Sequence, residues 1–333
     1  MSSVGIIANP ASGKDIRRLV SHATVIDNNE KINIIERLIL GAQQCGVEKF
    51  YLMPDSYHMG YRVIDKLKTS KELKADIEIL NMYIYDSVED TINAAQMMEE
   101  MGVGCLVVLG GDGTNRAAAK SIQKTPLIGI STGTNNVYPE MIEGTVAGMA
   151  AAVVASRKYE SAHLVKKDKR IEIYRNGTFT DIALIDAVVS KDVFVGAKAI
   201  WNVEDIAMVF VSKCHPASIG FSSVVGAKTV ITEEDNFGAF VNVNVKECNI
   251  MAPMAAGLVI PVSISTPKKL NIDEYYEYIV SFKGTIAVDG EREIVFQKGD
   301  RLAFRITRNG PNHVDIKKTL EVAQQNGFFE TVG

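Results

Sequence analysis

What most constrains this chain is a short apolar run, residues 105–109, that ends directly in Gly110-Gly111-Asp112-Gly113-Thr114. A buried strand that stops in three glycines around one carboxylate leaves a tight turn, open backbone N–H groups and no side-chain bulk to hold a polyphosphate away. An ordinary strand-to-helix turn, the bland alternative, needs only one or two glycines. The pattern therefore predicts a phosphate site with Asp112 as its chemical group.

Two other phosphate motifs fail on single residues. A Rossmann fingerprint anchored on Gly111 and Gly113 needs a third glycine where Arg116 stands, which removes the main support for hydride transfer. In the stretch from Ala8 to Asp15, a P-loop would need glycine at Ala8 and Ser or Thr at Asp15, so Lys14 is not a Walker lysine.

Around the glycine turn, apolar runs alternate with helical patterns, as βα units of a parallel sheet do. Strands are expected at residues 4–9, 49–53, 76–81, 105–109 and 127–130, and helices at 28–45, 57–68, 87–101 and 114–121. Ligands of open α/β sheets bind outside the carboxyl ends of the strands. Three such ends carry small, polar, glycine-bearing loops: Asn9-Pro10-Ala11-Ser12-Gly13-Lys14, the glycine turn, and Ser131-Thr132-Gly133-Thr134-Asn135-Asn136. They are expected to converge on one crevice.

After an alanine-rich helix at 144–156 the pattern changes to short β-branched runs. Strands are expected at 161–165, 170–175, 178–188, 229–231, 240–245, 258–263, 278–282 and 284–288, with hairpin chemistry at Asn176-Gly177 and Asp289-Gly290. Residues 205–212 read as strand or helix. The expected fold is an α/β nucleotide-binding domain over 1–157 followed by a β-rich, sandwich-like domain over 158–313, with a helical tail at 314–333 packing back on the first.

With 333 residues, 47% of them hydrophobic, the chain can bury two cores. A net charge of −4 without a dense basic run argues against nucleic-acid binding or membrane-surface binding. The longest uncharged stretch, 248–267, contains Pro253, Pro261 and Pro267, so no membrane span is expected. Four scattered cysteines and no signal peptide fit a cytoplasmic protein. The histidines are scattered singly, which disfavours a histidine metal centre, and the adjacent Cys214-His215 pair is weak support for a nucleophilic dyad.

With these motifs in hand, the chain resembles the superfamily of NAD kinases and diacylglycerol kinases, whose hallmark is a GGDGT turn, matched in full at residues 110–114. Within it the likeness runs to the ATP-NAD kinase-like family of the acetoin catabolism protein X type, supported by the opening from Ile6 through Arg18. The resemblance implies ATP and Mg²⁺ at a crevice between the domains, transfer of a phosphoryl group to a substrate hydroxyl, and homo-oligomers. Asn9, Ser12 and Gly13 match an NPxSG element and Thr132, Gly133, Thr134 and Asn135 a GTGN-like loop, both typical of lipid kinases. By resemblance both loops line the nucleotide.

On this reading the amides of Gly110, Gly111, Gly113 and Thr114 hold the triphosphate and Lys14 lies within reach of it, while Asp112 orients or deprotonates the acceptor hydroxyl or holds Mg²⁺ through water. Asp186 stands where NAD kinases carry the second residue of an Asn-Glu pair, with Ile185 in place of the asparagine, and Ser218 to Ser223 faintly match their Ser/Thr-rich element. Asp289 and Glu291 resemble the DGE element of lipid kinases, beside the plain reading of Asp289-Gly290 as a hairpin turn. The expected function is a kinase acting on NAD or a related nucleotide. Alternatives are a lipid or sphingoid kinase and a nucleotide-binding regulator of acetoin catabolism without turnover.

Overall fold

The protein, seen as a computed structural model, is described over residues 2–12, 26–133, 136–192 and 203–330. Its first half runs β1 (Ser3–Ala8), α1 (Asn28–Gln44), β2 (Lys49–Leu52), α2 (Met59–Thr69), β3 (Asp76–Ile79), α3 (Val88–Glu100), β4 (Cys105–Gly110), α4 (Asp112–Ala119), β5 (Pro126–Ser131) and α5 (Gly144–Ala155). The Asp27 carboxylate starts α1 by accepting the Glu30 N–H at 2.8 Å, and a capping box between Ser87 and Asp90 starts α3.

The strands pair in the order β3-β2-β1-β4-β5, all parallel. The order reverses between β1 and β4, which puts the ligand crevice outside the ends of those two strands. Neighbouring residues of β1 face opposite ways: Val4, Ile6 and Ala8 join Leu38 of α1 and Ala151 of α5 in one core, while Ile7 joins Met98 of α3 and Ala118 of α4 in another.

The chain continues through α6 (Ser161–Leu164), β6 (Val165–Lys167), β7 (Arg170–Arg175), β8 (Thr178–Ala183), β9 (Asp186–Ser190), β10 (Ile206–Val211), α7 (Phe221–Gly226), β11 (Phe237–Ala255), β12 (Leu258–Ile264) and β13 (Lys268–Asn271). It ends with β14 (Tyr275–Ile279), β15 (Gly284–Val288), β16 (Glu291–Phe296), β17 (Arg301–Thr307), β18 (Asn312–Val314) and α8 (Ile316–Gln325). One antiparallel sheet has the order β12-β11-β10-β9-β15-β16 with β13 on β11, and the other β14-β17-β7-β8. Their inner faces share a core in which the rings of Phe210 and Phe304 stack at 3.9 Å. This is a parallel-sheet α/β domain followed by an antiparallel β-rich domain.

Several local expectations change. Residues 161–165 form α6 and the start of β6 instead of a strand, and β6 and β18 both join the parallel sheet, so the chain leaves that sheet after β6 and returns at β18. The single strand expected at 178–188 breaks at Leu184 and Ile185, because their N–H groups go to the Asp289 carboxylate and not to a ladder. Ile231 makes only an isolated bridge to Cys214, so 229–231 is not a strand. Residues 205–212 resolve as β10, held between β9 and β11. In the tail, Asp315 caps α8, whose Ile316 and Ala323 enter the core shared with α5. No helix among the described residues is long and apolar enough to cross a membrane.

Candidate active site

The three polar loops meet at the reversal between β1 and β4. Asn9 donates from Nδ2 to Thr114 Oγ1 at 3.0 Å, while its own Oδ1 accepts the Ala11 N–H at 2.8 Å and shapes the turn. The Ser12 and Thr132 hydroxyls are 2.9 Å apart, and the Thr132 N–H donates to the Gly110 carbonyl at 3.2 Å. Gly133 is held through its carbonyl, which accepts from Ser131 Oγ at 2.9 Å. Gly13, Lys14, Thr134 and Asn135 lie outside the described residues.

The glycine motif works differently from the tight turn expected of it. Gly110 is the last residue of β4 and α4 opens at Asp112, a direct passage from strand to helix in which none of the three glycines takes a left-handed conformation. What they supply is room: a Cβ on Gly110 would stand 2.4 Å from Thr114 Cβ, and one on Gly113 would stand 2.8 Å from the Glu291 carboxyl carbon. Gly111 caps α4 without a side-chain bond. The first N–H groups of the helix, those of Asp112, Gly113 and Thr114, have no carbonyl one turn earlier to accept them, and the helix dipole favours an anion there.

Asp112 is fastened by the two residues that follow the third loop. Its carboxylate accepts the Val137 N–H at 3.0 and 3.1 Å and the Tyr138 N–H at 2.8 Å. It lines a cavity with Asp186, Asp289 and the apolar side chains of Phe221, Met254, Leu258 and Ile260. Although part of the residue stays open to that cavity, burial pushes its pKa up to about 7, against the pull of the Tyr138 N–H and with a push from the Asp289 charge. A carboxyl so placed exchanges a proton near neutral pH.

Asp289 combines both of its sequence readings. With φ of 49° at Asp289 and 83° at Gly290, the pair forms the two-residue hairpin turn between β15 and β16. Its carboxylate meanwhile accepts the N–H groups of Leu184 and Ile185 at 2.8 Å each and of Asp186 at 3.2 Å. Burial raises its pKa, although Arg116 pulls the other way.

Two buried cations were not expected in the site. Arg116, without exposed surface, lies 3.2 Å from Asp181, 3.7 Å from Asp289 and 3.6 Å from Glu291, so it gathers the acids of the β-rich domain around α4. Its signal in the sequence is a position one helical turn after Asp112 on an alanine-rich helix. Lys31 of α1 is also fully buried, and its ammonium donates to the carbonyls of Asn9 and Ser12 at 2.8 Å each and to Asn28 Oδ1 at 3.1 Å. Its signal is a charge at i, i+4, i+7 with Ile35 and Leu38, on the apolar stripe of the helix.

Two family models match the chain: the N-terminal domain of ATP-NAD kinases over residues 4–159, and the C-terminal domain of acetoin catabolism protein X over residues 169–309. Acetoin catabolism protein X of Cupriavidus necator is 35% identical over 341 residues, covering 99% of this chain and 94% of the relative. The chain belongs to the acetoin catabolism protein X family. Yeast NADH kinase complexed with NADH is similar to this family member in fold, with a TM-score of 0.51 at 13% identity over 100% of this chain and 89% of that one. A Bacillus anthracis structure described as a diacylglycerol kinase has a TM-score of 0.48 at 12% identity, covering 94% of this chain and 96% of that one.

Proposed function

We propose that this acetoin catabolism protein X family member is an ATP-dependent phosphotransferase whose acceptor is a hydroxyl of NAD or a related nucleotide. The observation that carries this reading is the position of Asp112: one carboxylate, with a pKa near 7, stands at a helix N-terminus that has no side-chain cap and at the same time on the wall of the cavity between the domains. The helix N–H groups then hold the terminal phosphates. Asp112 takes the proton of the acceptor hydroxyl as the phosphorus–oxygen bond forms, and the nucleoside diphosphate leaves in line.

Asp186, on the same cavity wall, accepts a hydrogen bond from a further hydroxyl of the acceptor, as a ribose offers, while Asp289 holds the Leu184–Asp186 backbone beside it. Among the described residues no three His, Cys, Asp or Glu side chains gather into a metal site. A Mg²⁺ carried on the nucleotide phosphates would neutralise their charge.

The test is mass-spectrometric detection of NADP after incubation with ATP, Mg²⁺ and NAD, with Asp112→Asn as control. NADP made only by the unmutated protein supports the reading. ATP binding without product moves it to another acceptor or to the second reading, a nucleotide-binding regulator without turnover. That second reading is favoured by one observation: Ile185 stands where NAD kinases carry asparagine, and its N–H is taken by Asp289.

A further inference from the structure

We propose that Tyr138 and Asp168 are positioning residues for Asp112, locking the segment at residues 136–138 so that the Val137 and Tyr138 N–H groups keep the Asp112 carboxylate on the cavity wall. The inference rests on the phosphotransferase reading and adds to it the residues that hold the base in place.

Tyr138 grips both ends of this connection. Its backbone N–H donates to Asp112 Oδ1 at 2.8 Å, while its hydroxyl, on a ring only 3% exposed, donates to Asp168 Oδ2 at 2.6 Å. A phenol O–H donating to a carboxyl oxygen at this distance holds the ring at its tip as well as its base. Asp168 is itself immobilised. Its N–H donates to the Pro311 carbonyl at 3.0 Å, its carbonyl accepts the Gly310 N–H at 3.1 Å, and its carboxylate lies 3.3 Å from His313 Nδ1.

The location matters as much as the bonds. Asp168 follows β6 and Gly310 precedes β18, the two strands after and before which the chain crosses between the parallel sheet and the β-rich sheets. The His313 ring lies 5.4 Å from the Tyr138 ring, and the Lys213 ammonium, paired with Glu233, stands 5.2 Å over it. Side chains from both domains thus surround one tyrosine, and any shift of the β-rich domain is felt by the loop that holds Asp112.

The experiment compares the full chain with Tyr138→Phe, which removes one hydroxyl and keeps the ring, and with Asp168→Asn. Amide hydrogen exchange is followed across residues 136–139 and, as a control for global loosening, across β9; steady-state phosphoryl transfer from ATP to NAD gives kcat and the KM for ATP. Expected for Tyr138→Phe is at least tenfold faster exchange at 136–139 with β9 unchanged, and a kcat at least tenfold lower with KM for ATP within twofold. Unchanged exchange overturns the proposal, as does faster exchange with unchanged kcat, or exchange that rises equally in β9. Should the unmutated protein transfer no phosphoryl group, the phosphotransferase reading fails by itself and the exchange result alone decides whether Tyr138 holds the loop. Should Asp168→Asn fail to fold, Tyr138→Phe decides.

Discussion

The Nε of Arg116 lies 3.7 Å from Oδ2 of Asp289, and neither side chain has surface exposed to solvent. This pair joins the helix behind the glycine motif to the hairpin turn of the β-rich domain, so the glycine-motif side and the β-rich side of the crevice share one charge network. Removing one member of a buried pair leaves the other uncompensated. Arg116→Met is expected to lower stability by roughly 3–5 kcal/mol, read from urea unfolding. A loss under about 1 kcal/mol would show that water or the backbone N–H groups alone carry the Asp289 charge.

Asp112→Asn is expected to reduce phosphoryl transfer by several orders of magnitude while nucleotide binding persists. In the unmutated protein the rate should rise with pH through about 7, because the base works only when ionised. Stability has the opposite sign. A carboxyl whose folded pKa is raised keeps its proton in the folded state where the unfolded chain has lost it, so stability falls as pH rises from 3.8 to about 7. Melting curves should therefore show Asp112→Asn gaining on the unmutated protein at pH 8 relative to pH 4. A pH-independent difference would mean that Asp112 titrates at an ordinary value.

Gly110→Ala inserts a Cβ 2.4 Å from Thr114 Cβ. The helix start has to move, which breaks the Asn9 to Thr114 bond and costs about 1–3 kcal/mol as overpacking does. Calorimetric titration with ATP is expected to show at least tenfold weaker binding. Unaltered affinity would remove this junction from the nucleotide site.

Lys31→Met keeps the apolar stripe of α1 and removes the ammonium that ties the Asn9 and Ser12 carbonyls to the helix. Those half-buried carbonyls lose a donor each. Expected is ATP affinity lower by tenfold or more with unfolding still cooperative, measured by titration calorimetry beside a denaturant melt. Equal affinity would show that the first loop keeps its shape without the lysine.

Much of this architecture was legible from local pattern. The apolar run ending at Gly110, the alternation of short strands with helices, and the three polar loops at strand ends all rest on neighbours within one turn or one strand. The hairpin at Asp289-Gly290 was legible for the same reason, because two residues with positive φ are a property of the dipeptide. Where local pattern was ambiguous, pairing decided. Residues 205–212 became a strand because β9 and β11 flank them, and 178–188 broke because a carboxylate more than a hundred residues away took the N–H groups of Leu184 and Ile185.

The sequence by itself determined the strand and helix periods, the glycines around Asp112, and the acids at 186, 289 and 291. Only the tertiary structure decided that Arg116 and Lys31 are buried cations, that Asp112 hangs from the Val137 and Tyr138 amides, and that Tyr138 reaches Asp168. The reason is physical: helix and strand preferences are set by the residue and its immediate neighbours, whereas the fate of a charge depends on what the fold brings within a few ångströms of it. Asp181 lies 65 residues from Arg116 along the chain and 3.2 Å from it in space.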